Sequence, residues 1–285
     1  MKIGFIGLGV MGRPMAGHLI AAGHDVFLHR VKDASQPLVE AGGKALGTAR
    51  AVAEAAEIII LMLPDTPDVE AVLFGPDGVA EGCAPGKLVI DMSSISPGAT
   101  KTFAARIAGT GASYADAPVS GGEVGAKAAS LTIMVGSSEA DFARAKPLFE
   151  LMGKNITRIG GVGDGQTAKV TNQVIVGLTI QAVAEGLALA KAAGADVAKV
   201  REALMGGFAA SRILEVHGER MIKRTFDPGF RIRLHRKDIG LAMEAARSLE
   251  LYLPHAASLQ QLMNKALADG LGDKDHSALI SLLQD

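Results

Sequence analysis

The sequence predicts an α/β protein in which a doubly wound, mostly parallel sheet is followed by an all-α domain built on one long interdomain helix. Short apolar runs alternate with amphipathic stretches from Ile3 to about Ile159, the alternation expected when helices cover a parallel sheet. A glycine-rich turn, Gly7-Leu8-Gly9-Val10-Met11-Gly12, follows the first apolar run and opens the first amphipathic one. After Gly160-Gly161-Val162-Gly163 the strand-like runs stop and a helical pattern of small and aliphatic residues begins. A length of 285 residues suits two domains, residues 1–162 for the sheet and 163–285 for the helices.

The expected strands are Ile3 to Ile6, Asp25 to Leu28, Ile58 to Leu63, Leu88 to Asp91, Tyr114 to Ala117, Leu131 to Val135 and Ile156 to Ile159. Between them the pattern predicts helices at Met11 to Ala22, Ala49 to Ala55, Pro67 to Leu73, Pro97 to Ala108 and Ala140 to Met152, several closed by glycines such as Gly23, Gly109 and Gly153. Thr167 to Ala193 reads as one helix about 40 Å long at 1.5 Å per residue, apolar enough to be buried on most faces. Further helices are expected at Ala198 to Met205, Arg212 to Met221, Lys237 to Leu249, His255 to Ala268 and His276 to Leu283.

Composition narrows the function. A net charge of -1 supplies no basic field for nucleic acid, and there is no run of five or more like charges. Cys83 is the single cysteine, so it cannot form an internal disulfide or a multi-cysteine zinc site; it fits a small packing residue in a reducing cytoplasm. Glycine spacing distinguishes the apolar N-terminus from a signal peptide, and the apolar stretches Ile58 to Leu63 and Val174 to Ile180 fall short of the roughly 20 residues of a membrane span. Neither a membrane nor a nucleic-acid partner is expected. The seven histidines are scattered without ligand-pair spacing, so no metal site is expected; His217, His235 and His276 read as capping, interface, core or substrate-contact groups.

The glycine turn has the strand-before, helix-after context of a Rossmann-type dinucleotide loop. Its glycines allow a tight turn and close approach of a pyrophosphate to the positive end of a helix. At the end of the second strand stand His29 and Arg30, with no acid to hold a ribose 2′-hydroxyl; Asp33 comes too late unless the loop folds back. NADP(H) is therefore favoured over NAD(H), the plainer alternative being that Arg30 is a solvated loop cation.

Two further segments carry chemistry. Ser120-Gly121-Gly122 ends a strand with a hydroxyl and a backbone able to aim N–H groups at a small carboxylate, while a tight turn would explain the glycines but not the serine. Gly165, Lys169, Asn172 and Gln173 share one face of the long helix, placing a lysine in an otherwise apolar surface. Burying an ammonium without a partner costs several kcal/mol, so Lys169 should face a cleft, meet an anion or titrate downwards. Its plainer alternative is a stem lying along apolar surface with its head in water.

With these motifs in order, the chain resembles the β-hydroxyacid dehydrogenase family over its full length: Gly7 to Ala16, Asp91 to Pro97, Asp116 to Gly125, Gly163 to Gln173 and Lys237-Asp238. Within the family the C-terminal half is similar to the tartronate semialdehyde reductases, through Leu204 to Ser211, Leu214 to Met221 and Asp275 to Leu279. The resemblance implies that Lys169 is the catalytic acid and that Ser120, Gly121 and Gly122 bind the substrate carboxylate. It further implies that Asn172 fixes substrate, that Lys237 lies beside nicotinamide or substrate, and that Leu63, Pro64 and Ser94 line the cofactor cleft. Ala129 stands where many relatives have glycine, His18 where asparagine is common, and Gln173 where a second asparagine is common.

The expected reaction is reduction of a small carboxylate-bearing aldehyde, tartronate semialdehyde, to its hydroxyacid, glycerate, by a homodimer or homotetramer. Alternatives are a 3-hydroxyisobutyrate dehydrogenase, a succinic semialdehyde or glyoxylate reductase, and a non-catalytic NADP(H)-binding module. Lysine at 169 argues against the last and against the related imine reductases.

Overall fold

The computed structural model describes residues 1–283. Packing divides the chain into unit 1, Met1–Lys169, and unit 2, from Val170 onward. The division falls inside a 29-residue helix, a little beyond the expected boundary at 162/163.

Unit 1 runs β1 (Lys2–Ile6), α1 (Gly12–Ala21), β2 (Asp25–His29), α2 (Gln36–Glu40), β3 (Lys44–Leu46), α3 (Ala49–Ala55), β4 (Ile58–Leu61), α4 (Thr66–Phe74) and α5 (Val79–Gly82). It continues through β5 (Leu88–Asp91), α6 (Pro97–Ala108), β6 (Ser113–Asp116), β7 (Val119–Ser120), α7 (Gly122–Lys127), β8 (Leu131–Gly136), α8 (Glu139–Glu150) and β9 (Gly153–Gly160) to the head of α9 (Asp164–Ala192). Strands β3-β2-β1-β4-β5-β6 are parallel, the order of a dinucleotide-binding sheet, and it reverses direction at β1 and β4. The sheet departs from the parallel rule only at β8, which pairs antiparallel with β6 and β7 and parallel with β9.

Side chains of successive strand residues point to opposite faces, so a strand covered on both sides must be apolar throughout. Ile58 and Ile60 join Ile3, Phe5 and Leu19 in one core, while Ile59 and Leu61 join Ile6, Val52 and Val72 in the other. Thr48, Asp65, Ser96 and Ser138 accept backbone N–H groups at the starts of α3, α4, α6 and α8, which explains where those helices begin. The short β3, α2, α5, β7 and α7 were not expected. The sheet ends in a three-residue β3 opened by Lys44 and in β9, which carries Lys154 and Arg158.

Unit 2 comprises the remainder of α9 with α10 (Val197–Leu204), α11 (Arg212–Lys223), α12 (Ile232–Ser248) and α13 (Pro254–Ala268). Helix α12 begins ahead of the expected Lys237, and His276–Leu282 forms 3-10 turns in place of the expected helix. The core gathers Ile180, Ala184 and Leu187 of α9 with Met221, Ile232, Ile239, Leu259 and Met263.

The expectation that α9 is buried on most faces is corrected. Within unit 2 it buries one stripe, Val170, Gln173, Gly177, Ile180, Ala184 and Leu187, whose spacing of three and four residues follows the helical repeat. Ile175 and Leu189 remain 60% and 72% exposed. By length and composition alone α9 could cross a membrane, contrary to the sequence expectation, but the buried stripe is part of the packed core of unit 2.

Candidate active site

The cofactor-side residues of unit 1 meet at the carboxyl ends of its parallel strands. Gly7 adopts a positive φ of 103°, and a β-carbon there would overlap the Met62 carbonyl, so the turn needs glycine. A β-carbon at Gly12 would overlap the Gly7 carbonyl oxygen, which explains how tightly α1 closes on the loop. Gly9 differs: nothing lies within 4 Å of where its β-carbon would stand. Around this loop, Leu8 and Met11 pack on the core and Val10 is exposed.

His29 at the end of β2, Arg30 just after it, and Leu63 and Pro64 after β4 line one cleft of about 430 Å³, closed by Thr48, Asp68 and Val72. The open space at Gly9 and this cleft at the strand-order reversal fit a dinucleotide, with the loop at its pyrophosphate and the cleft at its adenosine end. Arg30 is exposed with a φ of 57°, and Asp33 sits in a separate 3-10 turn, Asp33–Ser35. Ser94 follows Ser93, whose hydroxyl accepts the Leu63 N–H at 2.9 Å and joins the ends of β4 and β5.

Ser120, Gly121 and Gly122 form the turn from β7 into α7. Gly121 and Gly122 have φ values of 131° and 59°, so the turn geometry requires both glycines and leaves Ser120 half-buried beside them. His18 of α1 supports α7 through a 2.9 Å bond between its Nε2 and the Ala126 carbonyl. Ala129, just beyond, is held at a φ of 50°, the left-handed region that favours glycine.

Lys169 is 7% exposed, in the head of α9. That head is tied down by residues the sequence reading had not singled out. Asp116 Oδ1 accepts the Gly163 N–H and Oδ2 the Gln166 N–H, both at 2.7 Å, capping the helix from the end of β6. Burial pushes the Asp116 carboxyl up to about 6 against the lowering effect of those two bonds. Gln166 donates from Nε2 to the Ser93 carbonyl at 2.7 Å and accepts the Ile95 N–H at 3.1 Å. Gly165 is required by close approach, since a β-carbon would lie 2.7 Å from Asp116 Oδ2. Asp91 completes the buried polar floor by accepting from the Ser93 N–H and the Tyr114 hydroxyl; burial, then the Asp91 charge, holds that hydroxyl well above its usual range.

Within unit 2 the expected substrate-side residues form a second network. Asn172 Nδ2 donates to Gln173 Oε1 at 2.8 Å, Gln173 Nε2 donates to Asp238 Oδ2 at 2.5 Å, and Lys237 Nζ lies 3.1 Å from Asp238 Oδ1. Gln173 is thus committed to the buried Asp238, a partner that the one-methylene difference from asparagine allows it to reach. The histidines are not scattered as the sequence suggested: His217, His235 and His276 meet beside the buried Asp275. Their separations of 18 to 59 residues left no local spacing to read.

Comparison with known proteins adds lineage to this geometry. Residues 2–161 match the model for the NAD binding domain of 6-phosphogluconate dehydrogenase, and residues 163–283 that for the NAD-binding domain of NADP-dependent 3-hydroxyisobutyrate dehydrogenase. The chain is 56% identical to 2-hydroxy-3-oxopropionate reductase of Escherichia coli (strain K12), over 100% of this chain and 97% of that protein. It is 39% identical to 2-(hydroxymethyl)glutarate dehydrogenase of Eubacterium barkeri, over 99% and 94%. Among solved structures, Mycobacterium tuberculosis 3-hydroxyisobutyrate dehydrogenase with L-serine superposes with a TM-score of 0.91 at 32% identity, covering 99% of both chains.

Proposed function

Because the chain belongs to the β-hydroxyacid dehydrogenase family, the NAD(P)-dependent oxidoreductases that act on a CH–OH group, we propose that it reduces tartronate semialdehyde to glycerate. The observation that carries this substrate is the full-length 56% identity to the Escherichia coli 2-hydroxy-3-oxopropionate reductase, whose name describes the same compound. In this reading the bound nicotinamide cofactor supplies the hydride.

Lys169 donates the proton. Reduction turns the aldehyde oxygen into an alkoxide, and a lysine of reference pKa near 10.4 is mostly protonated at neutral pH, so it can neutralise that oxygen without a large shift. Burial strengthens its charge on a developing anion, and the capping by Asp116 and Gln166 keeps its helix head in place. Ser120, Gly121 and Gly122 hold the carboxylate, Asn172 helps fix the substrate, and Lys237 lies beside nicotinamide or substrate. Orienting so small a molecule by its carboxylate is what brings its carbonyl into reacting range.

Arg30, exposed at the mouth of the adenosine-end cleft, supports a preference for NADP(H) over NAD(H). The exposed Ile175 and Leu189 of α9 support a homodimer or homotetramer, and the lone Cys83 supports a cytoplasmic setting.

The test is Lys169→Ala with oxidation of NADPH followed at 340 nm. The variant should lose roughly 10²- to 10⁴-fold in kcat, about 3 to 5 kcal/mol, while binding cofactor normally. A kcat near wild type would remove Lys169 from the reaction. Faster turnover of succinic semialdehyde, glyoxylate or 3-hydroxyisobutyrate by the wild type would keep the chemistry and replace the substrate.

A further inference from the structure

We propose that His235, His276 and His217 form a buried proton-holding chain that positions Gln173, and through it the Asn172 and Asp238–Lys237 network, for substrate. The inference rests on the reading of Asn172 and Lys237 as substrate contacts. All of its residues lie in unit 2.

Four links run in series. His235 Nε2 lies 3.0 Å from the Gln173 carbonyl, His235 Nδ1 is 2.9 Å from His276 Nδ1, His276 Nε2 is 3.3 Å from His217 Nε2, and His217 Nδ1 is 3.4 Å from Asp275 Oδ1. Both ends only accept: a backbone carbonyl at one, a carboxylate at the other. With His235 a neutral ring donating to its carbonyl, the remaining directions follow. His235 must donate from Nε2, which leaves Nδ1 to accept from His276; His276 Nε2 must then accept from His217. Four links need four protons and three neutral imidazoles carry three, so His217 Nδ1 is left facing Asp275 without one. This atom is one of two buried side-chain atoms that make no hydrogen bond among the described residues, the other being Asp238 Oδ1. One added proton, shared between His217 and Asp275, completes the chain.

The surroundings locate that proton. Burial, then the neighbouring His235, holds His276 well below the ordinary histidine range, so the middle ring stays neutral. Burial works against the Asp275 charge, but His217, His276, Ser277 and the Phe230 N–H outweigh it and keep the carboxyl well below the usual carboxylate range. The charged and titratable groups facing the chain are His217 and Arg220 from α11, His235 from α12, and Asp275 and His276 from the segment entering the last 3-10 turns; Arg220 reaches Asp275 Oδ2 at 3.0 Å. From α9 the neutral Gln173 carbonyl meets it.

Donor atoms of His217, Asp275 and His276 lie within 4.8 Å of one another, close enough for a cation. Both Asp275 oxygens are already engaged, however, by Ser277, the Gly229 and Phe230 N–H groups and Arg220. A proton fits this donor set better than a metal.

Gly177 is the independent sign that the link to α9 is built. It lies one turn beyond Gln173, and a β-carbon there would stand 3.2 Å from His235 Nε2 and 2.6 Å from Leu259 Cδ2. The absent side chain gives the imidazole its path to the second lone pair of the Gln173 carbonyl. That carbonyl belongs to the residue whose side chain joins Asn172 to Asp238, so the chain holds the node of the network.

Nitrogen-15 NMR of histidine-labelled full-length protein near pH 7 tests the proton directly. The expected spectrum has His217 protonated on both nitrogens, His235 on Nε2 alone and His276 on Nδ1 alone; three neutral rings, or His235 protonated on Nδ1, would overturn the proposal. Zinc that raises Tm and is stripped by a chelator would also overturn it. Kinetics test the positioning. His276→Phe should raise KM for whichever carboxylate substrate the wild type turns over about tenfold, with cofactor KM within about twofold. It should also flatten the pH dependence of KM expected for wild type as the fourth proton is lost. If His276→Phe does not fold, His217→Gln carries the same pH test from the less buried end. Unchanged KM and pH profile in a folded variant sink the positioning role. Because the NMR result does not depend on the substrate, failure of the chain and failure of the substrate assignment separate.

Discussion

The groups of unit 1 that would meet a cofactor are largely main chain, the glycines of the Gly7–Gly12 loop and the strand ends, whereas the corresponding groups of unit 2 are side chains joined in series, from Asn172 through Gln173 and Asp238 to Lys237. The two constructions fail differently. A backbone site tolerates no added atom where the chain approaches itself, since glycine is present for want of space. A side-chain network tolerates no removed partner, since each buried polar group depends on the next.

The largest effect that would sharpen this contrast is at Gly12. Gly12→Ala should lower stability by about 3 kcal/mol or more, because the β-carbon meets the Gly7 carbonyl and Phe5 and the backbone must move. Gly9→Ala, with open space around it, should fold normally and lose affinity in a fluorescence titration with NADPH. Equal melting temperatures for the two variants would break the distinction.

Asp116 comes next, because it is a side chain in the backbone-built unit. Its carboxyl titrates at about 6 in the fold against the ordinary 3.8, so the folded protein binds that proton more readily than the unfolded chain. Its contribution is therefore fully present below about pH 4 and declines by up to about 3 kcal/mol as the pH rises through 6. Asp116→Asn should flatten that part of the stability profile in urea unfolding across this range. An unaltered profile would show that another group titrates there.

Gly177→Ala places a backbone-type test in unit 2. Crowding of His235 and Leu259 should cost about 1 to 3 kcal/mol, visible as a lowered Tm. A Tm at or above wild type would mean that α9 has room to shift. The smallest effect is expected at Ala129, where replacing a left-handed alanine by glycine should stabilise by about 0.5 to 1 kcal/mol. A loss of stability on Ala129→Gly would show that the turn holds no strain.

The same contrast explains what could be read before the structure. The dinucleotide loop lies within a dozen residues, and strands such as Ile58–Leu61 are apolar on both faces, so local pattern suffices for the sheet. Lys169, Asn172 and Gln173 stand close together in one helix, which made them visible as candidates. By contrast, the Asp116 cap of α9 spans 47 and 50 residues and the histidine chain spans up to 62, distances at which a sequence carries no pattern. Strand β3 was missed because its three residues are mostly exposed and it lacks an apolar run. His276–Leu282 keeps the apolar spacing of a helix but adopts the tighter 3-10 form, with Asp275 accepting the Ser277 N–H at its start.

The two outer strands of the sheet decide how the protein can behave in a crowded solution. An unpaired strand edge is a template for another copy of the same strand, and a long flat apolar one invites polymerisation. Here one edge is only three residues long and begins with Lys44, and the other, though eight residues long, carries Lys154 and Arg158. An incoming strand would find either too little backbone to pair with or two like charges to stack against its own, so the sheet can grow to nine strands without recruiting a tenth from a neighbour.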